Sequence, residues 1–300
     1  MLFSPNPPAC ETAGHGYLFL RRVLKLAGIL GIAGTVLVAL GARADELAEQ
    51  GRALFKKHQH SVVTVQLVVK SKFSMGGMGA QSSESRQDVT GTVLNPNGLT
   101  VLSLAATDPG QLMQTVVSGF GDEDSKFRME TELSDIKILL NDGTEVPAEV
   151  VLRDRDLDLA FVRPKAKLTQ SMDALDLSQS GKAELLDQVI VLNRLGSAAG
   201  RAYSASIERI TAVVERPRLF YVPEGGLSTL GAPAFTMDGK FLGLFVMRAL
   251  KGHSGGGMGM FSFQPDNVTG IIVPAKDILE ASKQAPTGQE AHPKADKSQP

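Results

Sequence analysis

Gly225-Gly226-Leu227-Ser228-Thr229-Leu230-Gly231-Ala232-Pro233-Ala234-Phe235 runs into Thr236-Met237-Asp238-Gly239-Lys240 and then Phe241-Leu242-Gly243-Leu244-Phe245-Val246. The glycines predict a tight loop, the residues around Ala234 a short buried strand, Met-Asp-Gly-Lys a turn, and Phe241 to Val246 a second buried strand. This order of parts sets the frame for the chain on either side.

The chain has 300 residues, with 31 Lys and Arg against 32 Asp and Glu, and 43% hydrophobic residues. That balance describes one large globular domain or two small ones, and favours neither nucleic acid nor a membrane surface as partner. The N-terminus differs. Arg21, Arg22 and Lys25 precede the uncharged run Leu26 to Gly41, and Ala42-Arg43-Ala44 follows as a small-x-small cleavage site. This is the layout of an export signal over 1–44, with cleavage expected after Ala44. The run is short of the roughly twenty residues a membrane span needs, so an N-terminal anchor is the alternative, and the only membrane contact expected is through an uncleaved presequence. Arg21-Arg22 also resembles the start of a twin-arginine signal. The single cysteine, Cys10, lies in the presequence, so the remainder can form neither a disulfide nor a thiolate zinc site.

Residues 45–58 carry Leu47, Ala48, Leu54 and Phe55 at helical spacing, with acids at the start and lysines at the end, and predict a lead-in helix. Ser61 to Val69 reads as a strand, and the Gly/Met stretch Phe73 to Ala80 as a long loop that ends it. Gly91 to Leu94, Asn95-Pro96-Asn97-Gly98 and Leu99 to Leu104 form a hairpin signal with its turn residues in place. Asp108 to Glu132, with the acidic run Asp122-Glu123-Asp124, reads as a solvated excursion. Asp135 to Leu140, the turn Asn141-Asp142-Gly143-Thr144 and Glu145 to Leu152 form a further strand pair, followed by Asp154-Arg155-Asp156-Leu157-Asp158-Leu159-Ala160-Phe161-Val162. Residues 175–185 have no strong pattern. Strands are then expected at Gln188 to Leu192, Tyr203 to Ile210, Arg218 to Val222 and Thr269 to Pro274, with a closing helix from Ala275 to Lys283 and a polar tail from Gln284.

The opening stretch resembles the nucleophile loop of HtrA-type trypsin-like serine proteases, Gly-Asn-Ser-Gly-Gly-Pro followed by two apolar residues, an Asp-Gly turn and an apolar strand. The resemblance covers about 45–283. It implies an all-β fold of two antiparallel barrels of trypsin/chymotrypsin type, about 61–163 and 188–274, with short N- and C-terminal helices and a disordered tail over 284–300. No residues are left for the PDZ domain such proteases often carry. Laid on the family pattern, Leu230 occupies the nucleophile position, Thr229 the asparagine and Ser228 the oxyanion-hole glycine. Gly98 aligns with the glycine of the family's Pro-Asp-Gly-Tyr turn, which puts Ala105 at the catalytic histidine. Asp158, in Asp-Leu-Ala, retains the aspartate position.

A working triad needs an attacking serine, a histidine to take its proton and an aspartate to orient the imidazole. Only the orienter remains, so no catalytic residue is expected, and the former cleft at Ala105, Asp158, Ser228, Thr229, Leu230 and Gly231 becomes a candidate site for an extended peptide held by strand addition. For Asp158 the plain expectation is a buried carboxylate satisfied by amides or hydroxyls. None of the five histidines falls at a general-base position in the sequence. Gly252-His253-Ser254-Gly255-Gly256 superficially resembles the nucleophile motif but lacks the proline and the apolar strand that should follow. The residues thus imply an exported, inactive protease homologue that binds a peptide or protein in the cell envelope, without cofactor or metal and without nucleic acid; a homo-oligomer is allowed. Two alternatives stand beside it: an active serine endopeptidase with a relocated catalytic group, and a metal-binding envelope protein whose Met75, Met78, Met258 and Met260 hold Cu(I).

Overall fold

In the computed structural model, residues 46–75, 78–108, 110, 128–225, 229–249 and 268–286 are described. The export signal, the acidic run 122–124, Ser228, Ser254, Met258, Met260 and residues 287–300 lie outside them. The chain divides into two compact units, 1–50 and 51–300. The first is described only at helical residues 46–50, and both barrels belong to the second.

Twelve strands close two antiparallel barrels. The first contains β1 (Val62–Met75), β2 (Met78–Val93), β3 (Thr100–Ser103), β4 (Arg128–Leu139), β5 (Glu145–Asp154) and β6 (Leu159–Pro164), in spatial order β1-β2-β3-β6-β5-β4. The second contains β7 (Gln188–Arg194), β8 (Tyr203–Val214), β9 (Phe220–Pro223), β10 (Pro233–Thr236), β11 (Phe241–Ala249) and β12 (Val268–Pro274), in the order β10-β11-β12-β9-β8-β7.

Side chains alternate across a strand, and here the alternation builds three cores rather than two. Val63, Val65, Leu67 and Val69 of β1 point into the first barrel with Ile136, Ile138, Leu102, Ala160 and Val162. Val189, Val191, Phe245 and Ile272 point into the second. Intervening residues on several of the same strands, Leu159 and Phe161, Ile190 and Leu192, Leu244 and Val246, Ile271 and Val273, form a third cluster outside the barrel interiors. Strands buried on both faces read as unbroken apolar runs, which accounts for Leu159-Ala160-Phe161-Val162 and Val189-Ile190-Val191-Leu192.

Two sequence expectations are overturned: the excursion expected to run to Glu132 gives way to β4 already at Arg128, where β1 supplies a partner, and the expected Gly/Met loop is largely strand. Phe73 to Ala80 is not a long loop: β1 continues to Met75 and β2 begins at Met78, with pairing in register from Val62↔Thr92 to Phe73↔Gln81. On its other side β1 pairs with β4 as far as Ser74↔Arg128. Partners on both edges hold the strand extended through residues whose local preference is for a turn.

Helical residues 51–58 (α1) and the 3-10 turn Gln59–Ser61 precede β1 yet pack on the second barrel. Leu54 is buried in the third cluster with Ile190, Phe235 and Phe241. The His58 ring stacks on Phe235 at 4.8 Å and 18°. Its Nε2 is buried without a hydrogen-bond partner among the described residues, and burial, aided by the charge of Lys57, lowers its pKa from the ordinary histidine value. An unfolded chain therefore takes up this proton at higher pH than the folded one, and acidification below the usual histidine pKa removes stability. We expect His58→Leu, followed by urea unfolding between pH 7.5 and 5, to gain stability relative to wild type as the pH falls; a pH-independent difference would exclude this role.

Candidate functional site

Of the positions that the resemblance singled out, Ala105 meets the carboxylate of Asp158 directly. Asp154 accepts the amides of Asp156 and Leu157 through Oδ1, 3.0 Å each, closing the turn that follows β5. The turn delivers Asp158 with φ of 55°, a left-handed conformation that aspartate tolerates better than most residues. The Asp158 carbonyl accepts Leu104 N at 2.8 Å, and its carboxylate Oδ1 accepts Ala105 N at 3.0 Å. Both amides belong to the first turn of α2 (Leu104–Thr107), where helical N–H groups lack partners within the helix. Ser103, at the N-cap, makes no side-chain cap. Its buried hydroxyl instead donates to Asp158 Oδ2 at 2.5 Å, and Met247 N of β11 donates to the same oxygen at 3.1 Å.

Burial raises the Asp158 pKa to about 6, against the opposing pull of the Ser103 hydroxyl and then the Met247 and Ala105 amides. Ser103 and Met247 were not among the sequence candidates. Ser103 carried a faint signal, a hydroxyl in the otherwise apolar Val101-Leu102-Ser103-Leu104. Met247 contributes only its backbone, which no side chain advertises.

In the second barrel, Ala232 N donates to Thr229 O at 3.0 Å, closing a turn with Gly231 in its third position at φ of 84°. A Cβ on Gly231 would lie 2.1 Å from Thr90 O and 3.8 Å from Leu102 Cα. The turn therefore sits directly on β2 and β3 of the first barrel. Gly231 N donates to Phe245 O at 2.8 Å, and Gly231 O accepts the Thr92 hydroxyl at 3.0 Å. Leu230 and Ala105 are both half-buried. The structure thus places Ala105 and Asp158 in direct contact, sets the Thr229-Leu230-Gly231 turn against the strand leading to them, and leaves Ser228 outside the described residues.

The two described histidines are engaged elsewhere. His58 lies on Phe235, and His60 Nδ1 is 2.8 Å from Asn141 Nδ2, edge-on to Tyr203. Among the described residues no group of three His, Cys, Asp or Glu side chains forms a metal cluster, and no helix is long and apolar enough to cross a membrane. Met75 and Met78 are cross-strand neighbours at the tip of the β1–β2 hairpin.

The architecture of two closed six-stranded antiparallel barrels is the trypsin-like one that the sequence resemblance implied. Neither a protein-family description nor a curated protein matches the sequence. Among solved structures the chain is similar to the MamO protease domain from Magnetospirillum magneticum in its apo form, with a TM-score of 0.47 and 16% identity over 75% of this chain and 97% of that one. It is also similar to the HtrA-type protease AlgWS227A with tripeptide, with a TM-score of 0.47 and 16% identity; 78% of this chain is covered but only 62% of that one.

Two predictions follow from this geometry. The folded protein retains the Asp158 proton up to about pH 6, whereas an unfolded chain releases it near 3.8. Stability contributed by the protonated state is therefore lost as the pH rises between those values, by about 3 kcal/mol at most. Asp158→Asn cannot titrate, so the wild-type advantage over the variant should shrink by about that amount between pH 4 and 8 in denaturant titrations; a constant difference would exclude the buried carboxylate as its source. Gly231→Ala should cost about 3 kcal/mol through strain and collision with Thr90 O. The control Gly143→Ala has a similar φ of 84° but nothing within 4 Å of the added Cβ, and should cost about 1 kcal/mol.

Proposed function

We propose that the protein acts outside the cytoplasm by binding an extended peptide or protein segment in the interbarrel cleft, without hydrolysing it. The observation that carries this reading is the state of Asp158. Its carboxylate is occupied by Ser103, Ala105 and Met247, and Ala105, which the resemblance aligns with the catalytic histidine, carries only a methyl group. A buried aspartate without an imidazole to orient has no proton-transfer role in acyl chemistry, and leucine at 230 has no nucleophile to activate. The presequence supports export.

The cleft also offers an edge for strand addition. Pairing between β10 and β11 reaches Pro233↔Leu244, with Phe245 N donating to Ala232 O. Beyond it β11 keeps β12 on one side, through Met247↔Gly270 to Ala249↔Val268. On the other side no strand pairs with it among the described residues. Strand alternation turns the Phe245, Met247 and Ala249 amides to that edge, and the Met247 amide is the one Asp158 holds. Next in line is the Ala249 amide, which no strand pairs on that side among the described residues and which the backbone of an incoming peptide would meet.

The deciding measurement is intact-mass analysis after exposure to a fluorophosphonate, alongside casein digestion. The expected result is no adduct and no digestion. Stoichiometric labelling with digestion would overturn the reading, establish an endopeptidase, and identify the relocated nucleophile.

A further inference from the structure

The first barrel carries an arm that its closure does not require. β2 pairs with β3 only at Thr92 and Val93, and β4 with β5 only from Lys137 to Leu139. Yet β1 remains paired with β2 out to Gln81 and with β4 out to Arg128. The excess is a three-stranded ribbon in the order β2-β1-β4. Its central strand is partnered on both sides, and among the described residues its two outer strands each present an unpaired edge of main-chain donors and acceptors.

The two edges differ. Along β4 the register shifts at Ser134, whose hydroxyl donates to Val68 O, and Glu130, Glu132 and Asp135 line the strand. A bulge and like charges are the usual means of blocking an edge. Along β2, the part nearest the barrel is occupied: Gln87 Nε2 donates to Ala106 O, Asp88 pairs with Arg201, and Thr90 donates to Asn193. Farther out, Gln81-Ser82-Ser83-Glu84-Ser85-Arg86 is exposed throughout, without proline and without a register shift. Glu84 has only a loose pairing with Lys70 at 3.9 Å. Arg86 makes no hydrogen bond or ion pair among the described residues, although its charge reaches Lys137 and Glu145 across the same face.

We propose that β2 of one copy pairs antiparallel with β2 of a second copy through Glu84 to Arg86, about a two-fold axis at Ser85, a register in which Gln81 to Ser83 fall opposite the engaged stretch Val89 to Gln87 and add no pairs. Glu84 and Arg86 are two residues apart and share a face. A two-fold centred on Ser85 sets each Glu84 opposite the Arg86 of the other copy, so one contact forms two opposite-charge pairs. Centring on Glu84 opposes two carboxylates, and centring on Arg86 opposes two guanidinium groups. Charge thereby selects the register, and the small Ser85 between the two charged residues lets the backbones approach. The new pairs extend a row already alternating across the ribbon, Glu132 beside Lys70 beside Glu84. Pairing β2 with the β4 edge instead would face Glu84 with further carboxylates. The contact spans few residues, so the association is weak and reversible.

Sedimentation of the full chain up to about 200 µM should detect a monomer–dimer equilibrium in the weak range expected for so small an interface. Glu84→Arg or Arg86→Glu alone, which opposes like charges, should weaken it about tenfold or more, and the double swap Glu84→Arg with Arg86→Glu should restore it. In a Cys10→Ser background, Ser85→Cys should form a covalent dimer under mild oxidation, because paired strands place opposed Cα atoms about 4.5–5.5 Å apart, within disulfide reach. Ser83→Cys, which this register places opposite Gln87, should not. A monomer throughout the range would overturn the proposal. So would a dimer indifferent to the charge swap that fails to cross-link at Ser85, since association through any other surface responds to neither.

Discussion

The carboxylate of Asp158 draws donors from two distant parts of the chain: the junction of β3 with the first turn of α2, and β11 of the other barrel. Each party needs the others. A buried carboxylate without donors is costly, and so are helix-start amides and a strand amide without acceptors. Satisfying them together fixes where α2 begins and where β11 passes, and thereby the alignment of one barrel on the other. The carboxylate is a structural junction between β3, α2 and β11.

The rest of the barrel interface follows the same logic of close approach and polar matching. Gly231 lets a turn of the second barrel rest on the backbone of the first, and Thr92 meets the carbonyl this exposes. Thr90 reaches Asn193, Arg194 reaches Thr64 while lying over the Tyr203 ring, and Arg201 meets Asp88, itself held by Gln66. Apolar packing through Phe161, Ile190 and Leu244 supplies the bulk of the contact. Polar contacts of this kind discriminate one alignment from its neighbours, because a slip would strand buried donors and acceptors.

Much of this was legible in the residues. The strand pairs flanking Asn95-Pro96-Asn97-Gly98 and Asn141-Asp142-Gly143-Thr144 announced themselves by turn chemistry, and Pro233 to Val246 by two apolar runs around Asp-Gly. The reach of the β1–β2 hairpin was not legible, because the force that keeps Phe73 to Met75 extended comes from β4, more than fifty residues later, while the local glycines speak for a turn. At the site, the position of Asp158 could be read from its neighbours in sequence. Its partners could not: a serine hydroxyl near a strand end has many uses, and a backbone amide leaves no mark in the sequence.

Helix α1 is made first and seated last. Leu54, Phe55 and His58 precede every described strand, yet Leu54 lies against Gly239, Phe55 against Tyr203 and His58 against Phe235, all in the second barrel. During synthesis the entire first barrel intervenes before those partners exist. The nascent chain must therefore carry the apolar face of this helix, Leu54 and Phe55, until the second barrel is made, and protection of the helix in hydrogen exchange would date the arrival of the second barrel.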